Sequence, residues 1–211
     1  METITIENDE EFLRQVSKPV NINDTSLLND IKEIEKFCKE NDVMAIASIL
    51  IGIPKRIIYL KNTDFNIINK IQKASANTSE INYDENKILL NPKVISQEGL
   101  TTYWEASVGC LDYLGLVKRP YKTIVEYMDI EGKIHRETFE GFSSTVLSHE
   151  LDLLEGILHI DKSDELLIMN ENKRKEFRVN HGYKIISKTG NYEDLLQKEK
   201  TKKKVNKHYL Y

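Results

Sequence analysis

Apolar positions between residues 143 and 161 recur at three- and four-residue spacing: Val146, Leu147, Leu151, Leu154 and Ile157. That period predicts a buried helix, with Ser143 or Ser144 placed to cap its start and Gly156 to end it ahead of a strand. A second stripe of Leu27, Ile31, Ile34 and Cys38, with Leu28 and Phe37 beside it, predicts an amphipathic helix that Asp24 or Thr25 can cap. Residues 43–53 are apolar apart from Ser48 and Gly52, so this stretch must be buried on nearly all sides and can touch a ligand only through its backbone. It leads through Pro54, Lys55 and Arg56 into the strand-like residues 57–60. Strand alternation is also read at 2–6, 88–95, 101–104, 123–130 and 133–139, the last two joined by a tight turn at Glu131 and Gly132. Any helix begun at Phe12 must stop by Pro19.

Between these runs, residues 61–87 are rich in Asn, Lys, Ser, Thr and Asp and read as a long surface excursion. Beyond Asp161 the chain turns polar, with helical patterning expected over 164–178 and 192–204. Neither an internal repeat nor an interdomain linker is visible. The pattern therefore predicts an α+β architecture, with short antiparallel strands around a central helix over 1–165 and a helical, lysine-rich C-terminal extension over 166–211.

Composition changes this picture little. The 211 residues are 40% hydrophobic and 30% charged, ordinary values for a globular protein. No run approaches the apolar length needed to cross a bilayer, and the acidic start METITIENDE lacks the basic-then-apolar order of a secretion signal. A cytoplasmic location is the expectation, with no membrane or DNA partner. Cys38 and Cys110 are too few for a disulfide framework and read as reduced thiols. The net charge of −4 divides into −9 for residues 1–197 and +5 beyond, where six lysines face Glu199. Such an end can reach phosphate-rich partners such as ribosomal RNA, although a solvated terminus is the plainer reading.

The chemistry concentrates on the central helix. His149-Glu150 opens the pattern H-E-x-x-H, in which two imidazoles one turn apart hold a metal and the Glu handles the proton of its bound water. The run His149-Glu150-Leu151-Asp152-Leu153-Leu154-Glu155-Gly156 resembles, without a gap, the H-E-x-D-H-L-x-G motif of the peptide deformylase family. Val108-Gly109-Cys110-Leu111-Asp112 is similar to that family's E-G-C-L-S, and residues 43–50 to its G-x-G-x-A-A-x-Q. Phe12-Leu13-Arg14, Pro19-Val20, Asn91-Pro92 and Val117-Lys118-Arg119-Pro120 agree as flanking pieces, so the resemblance covers roughly residues 3–165.

The resemblance implies a deformylase-like fold and removal of the formyl group from N-formylmethionine on nascent polypeptides at the ribosome. It also implies a divalent metal, iron or zinc, held by one Cys and two His and activating water. Carried over by position, Cys110 and His149 would be ligands and Glu150 the acid/base. Leu111 would offer a backbone N–H to the oxyanion, and Gly109 would line the substrate.

The departures fall on the same positions. Leu153 stands where the family has its second His, and Leu50 where it has the oxyanion Gln. Val43 and Ala45 replace glycines, Val108 the motif Glu, and Asp112 the Ser. One ligand is worth on the order of 3 kcal/mol, about two decades of metal affinity, and an oxyanion donor a further ~10²–10³ in rate. Lost or strongly reduced activity is the expectation, with Cys110 then an inert small hydrophobe. The alternative is an active hydrolase whose site is rearranged around Cys110, His149 and Asp112 or a water. A weaker third reading is a structural protein that uses only the fold. Asp152 lies about 100° around the helix from Leu153 and points away. His159, where the family carries an aromatic, is expected to pack in the core.

Overall fold

A computed structural model describes residues 2–61 and 86–208, with side chains described through Thr201. Most of the expected 61–87 excursion lies outside the described residues. The described chain builds helices α1 (Glu10–Leu13), α2 (Leu27–Glu40), α3 (Phe142–Leu154), α4 (Glu171–His181) and α5 (Tyr192–His208). Its strands are β1 (Ala45–Ala47), β2 (Ile57–Leu60), β3 (Lys87–Glu105), β4 (Tyr113–Arg119), β5 (Lys122–Met128), β6 (Ile134–Glu140), β7 (Leu166–Ile168) and β8 (Lys184–Asn191). All pair antiparallel in one sheet, and the mixed α+β architecture expected from the sequence is observed.

The sheet is organised by β3, whose successive stretches pair with β2, β5, β8 and β4. The two separate strands expected at 88–95 and 101–104 are thus one 19-residue strand. Its pairing with β5 is interrupted between Val94 and Ser96 and, earlier, between Leu90 and Lys93. Pro92 has no N–H for a ladder there, and Asn91 takes a φ of +51°. The Asn91 side chain replaces the missing ladder bonds, accepting from the Val20 N–H at 2.7 Å and donating to the Val20 carbonyl at 2.8 Å.

The core lies between the sheet, α2 and α3. Leu27, Ile31, Ile34, Phe37 and Cys38 of α2 are buried in it, while Leu28 faces solvent. Ser26 caps α2 without a side-chain bond. Asp24 accepts the Ser26 N–H through Oδ1 at 3.0 Å, and through Oδ2 it joins Asp30 in holding the Lys55 ammonium, at 2.8 and 2.6 Å.

Gly141 occupies the cap position before helix α3, and neither candidate serine caps it. Ser143 Oγ donates to the Glu140 carbonyl, and Ser144 Oγ to that of Pro120. Its end is where the sequence placed it. Gly156 follows at φ +69°, and a Cβ there would sit 2.1 Å from the Arg14 carbonyl oxygen. Gly156→Ala is expected to cost at least about 2 kcal/mol, from left-handed strain and the clash together. It would be read as a lower urea midpoint at unchanged slope.

Three expectations are corrected. The strand expected after α3 is a 3-10 turn, His159–Lys162, and residues 2–6 are extended but unpaired as a strand, held by Ile4 N–H to the Leu50 carbonyl and Ile6 N–H to that of Gly109. The C-terminal extension is not purely helical. Its short apolar runs Leu166-Leu167-Ile168 and Ile185-Ile186 pair as β7 on β4 and β8 on β3, giving unsatisfied backbone at those strands a partner.

Candidate functional site

Antiparallel pairing sets Thr101, Tyr103 and Glu105 of β3 opposite Arg119, Val117 and Gly115 of β4, all on one sheet face. Helix α3 packs over that face and brings His149 and Glu150 to it. The most buried ionic array in the described chain follows. Arg119, 2% exposed, donates from Nε to Glu105 Oε1 at 2.7 Å and from Nη2 to Oε2 at 2.8 Å, and its Nη1 pairs with Asp152. Asp152 also holds Lys162 at 2.7 Å, and His149 Nδ1 sits 2.9 Å from Glu105 Oε2. Burial alone would raise the Glu105 carboxyl, but the Arg119 guanidinium and the His149 contact hold it far below the usual carboxylate range. Burial likewise opposes charge on His149, and the Glu105 carboxylate overrides it and raises the imidazole.

Glu150 is buried beside this array, and Oε2 accepts the Ala47 N–H at 2.7 Å. Burial pushes its carboxyl up, against the lowering effect of His149 and the Ala47 bond. The backbone of β1 therefore touches the site, as its apolar sequence required. His159 packs with its ring centroid 5.8 Å from that of His149, and burial, followed by the neighbouring His149, lowers it to about 4. It is a neutral core imidazole.

His149 and Glu150 open into a groove of ≈ 210 Å³. Apolar walls come from Met44, Leu50, Tyr103, Val108, Phe142 and Val146, while Glu105, Ser107 and Arg178 add polar groups. Ser107 Oγ accepts the Gly109 N–H at 3.3 Å and starts the 3-10 turn Val108–Cys110.

With that geometry in place, comparison with known proteins is direct. The family model described as polypeptide deformylase matches residues 1–168. The chain belongs to the peptide deformylase family. A peptide deformylase from Rhizobium meliloti is 33% identical over 155 residues, covering 73% of this chain and 80% of that one. One from Pelagibacter ubique is 31% identical over 182 residues, covering 80% and 92%. Among solved structures, a class I type b peptide deformylase from Acinetobacter baumannii with Met-Ala-Ser bound superposes at TM-score 0.63 with 20% identity, covering 77% of this chain and 97% of that one. A probable peptide deformylase from Synechococcus phage S-SSM7 gives 0.62 with 24% identity, 77% and 99% being covered. At these identities the structures show a shared fold.

Against the deformylase motifs, the structure brings together only part of the expected set. His149 and Glu150 line the groove, and Leu50 occupies its wall. Leu153 is buried in the hydrophobic core. Cys110 does not line the groove with His149. It is 1% exposed within the same core, and burial, with Asp161 as the next influence, pushes its thiol up to about 12, the state of an inert thiol. Gly109 is buried against Leu50, Ile4 and Leu13 rather than lining the groove. The Leu111 N–H points back to the Val108 carbonyl at 3.5 Å, and its own carbonyl accepts from Arg174. Leu111 is thus a turn residue at φ +52° and not a donor toward the groove. Asp112, 60% exposed, pairs with Arg174 at 3.1 Å and lines no part of the groove.

Sequence reading missed Ser107, Glu105 and Arg178. Glu105 carried a signal, since a Glu opens the motif E-G-C-L-S and residues 105–109 can follow it without a gap. Arg178 carried none, because it lies beyond the matched family region.

Deformylases as a family use a divalent metal, and the residues of this groove do not fit one. Among the described residues, no group of three or more His, Cys, Asp or Glu side chains is arranged to hold a metal ion. No helix of the described residues is long and apolar enough to cross a membrane.

Proposed function

We propose that this family member has lost deformylation and keeps the groove as a binding site for acyl-methionyl groups. The observation that carries this reading is the position of Ser107. It lines the groove beside His149 and Glu150, while the thiol three residues later lies in the core. With residues 105–109 taken as the second motif, Glu105 keeps its family place and Ser107 stands at the thiolate position. A serine hydroxyl near neutral pH is a poor substitute for a thiolate, which binds metal as an anion. Together with Leu153 and Leu50, three of the groups that would hold the metal or the oxyanion are then replaced, and His149 is the one ligand left. Glu150, without an activated water to serve, is held instead by the Ala47 N–H.

The rearranged-site alternative is left with a water as its third ligand, because Asp112 is engaged by Arg174 away from the groove. A ribosomal contact would be sought at the lysine-rich end, whose last side chains lie outside the described residues.

The test is metal content and turnover of the unaltered chain. After purification, and again after incubation with ferrous iron or zinc, metal is expected far below one ion per chain. Formate release from an N-formylmethionyl peptide is expected at the rate without protein. Stoichiometric metal with turnover would defeat the proposal.

A further inference from the structure

The groove has one wall that the family region does not supply. Helix α4 lies beyond residue 168 and sends Arg178 into it. Neighbouring groups fix that helix in place: Phe177 packs edge-on against Trp104 with centroids 5.0 Å apart, and Tyr183 packs against Phe142 at 5.5 Å. Arg174, one turn earlier, is tied to Leu111 and Asp112.

Arg178 differs from every other arginine of the chain. Arg14, Arg56, Arg119, Arg136 and Arg174 each hold a carboxylate. Among the described residues, no carboxylate lies within ion-pair distance of Arg178, and its Nε is buried without a hydrogen-bond partner. A buried donor of this kind is costly to leave unmatched, and the guanidinium fork fits a planar carboxylate in two parallel bonds.

The rest of the groove limits what can bring that acceptor. Its walls are mainly apolar, and ≈ 210 Å³ is below the about 300–1,000 Å³ of pockets that take drug-sized ligands. Glu105 and Glu150 also line it, so a dianion such as phosphate meets more repulsion than a single carboxylate does. Glu105 is already committed to Arg119 and His149.

We propose that the groove takes a short N-acyl amino acid, with the acyl and side chain against the apolar wall and the free carboxylate on Arg178. This rests on the reading that the groove still binds acyl-methionyl groups. It narrows the ligand from an extended nascent chain to a molecule that ends within the groove.

The test compares N-acetylmethionine with its neutral analogue N-acetylmethioninamide by isothermal titration against the full chain. The acid is expected to bind about tenfold to hundredfold more tightly than the amide, the range of a charge-assisted hydrogen bond. Arg178→Met is expected to bring the two to equal affinity, and Arg178→Lys to keep part of the preference by retaining charge without the fork. Equal binding of acid and amide by the unaltered chain, an undiminished preference in Arg178→Met, or binding of neither probe would overturn the proposal. Neither probe carries a formyl group, so this result is independent of formate release, which tests the loss of deformylation alone.

Discussion

Arg119→Met is expected to destabilise the protein by about 3–5 kcal/mol, lowering the thermal midpoint by about 10–15 °C. Arg119 and Glu105 are 2% and 4% exposed, and the guanidinium supplies two of the hydrogen bonds that make the Glu105 carboxylate tolerable in the interior. Removing the cation leaves that carboxylate with His149 alone, and leaves Asp152 with Lys162. Methionine fills much of the volume, so the loss reports an uncompensated charge rather than a cavity. The double variant Glu105→Gln with Arg119→Met supplies the internal check. Because it removes the charge as well as its partner, it is expected to be more stable than Arg119→Met by itself, a strongly non-additive result. A loss below about 1 kcal/mol for the single variant, or additive losses in the pair, would show that the array is solvated.

This array was only half legible in the sequence. Helix α3 could be read because its apolar residues repeat with the helical period, and its end because Gly156 meets the Arg14 carbonyl where no Cβ fits. The pairing of β3 with β4 could not. It depends on register across the sheet, where a one-residue slip would turn Glu105 and Arg119 to the other face. On the register proposed from Glu105, the second motif was misplaced for a related reason. Gly109-Cys110-Leu111 matches three letters of E-G-C-L-S, whereas residues 105–109 match only the Glu as written. The groove selects by position, and Ser107 differs from Cys by a single atom in shape but far more in its affinity for metal. Arg178 and strands β7 and β8 were hidden because a polar, lysine-rich segment gives little periodicity, and its pairing partners lie about 50 to 95 residues away.

The same geometry sets the result expected on restoring the groove. Combining Ser107→Cys, Leu153→His and Leu50→Gln is expected to raise metal affinity by about four decades, two ligands at about two decades each. The altered chain would then be purified with close to one ion, and formate release from an N-formylmethionyl peptide would become measurable. Position 153 is one helical turn beyond His149, so an imidazole there shares its face. Glu105 already holds His149 by Nδ1, which fixes the ring and leaves Nε2 as the nitrogen to coordinate. Cys110 serves as the control. Since Cys110 lies three residues past the proposed thiolate position, adding Cys110→Ser to the restored chain is expected to leave metal content unchanged. Loss of the metal in that quadruple variant would reinstate Cys110 as the ligand and reverse the register argued from Glu105. A folded restored chain that stays free of metal would instead show that Val43, Ala45 and Val108 have narrowed the groove beyond what three substitutions repair.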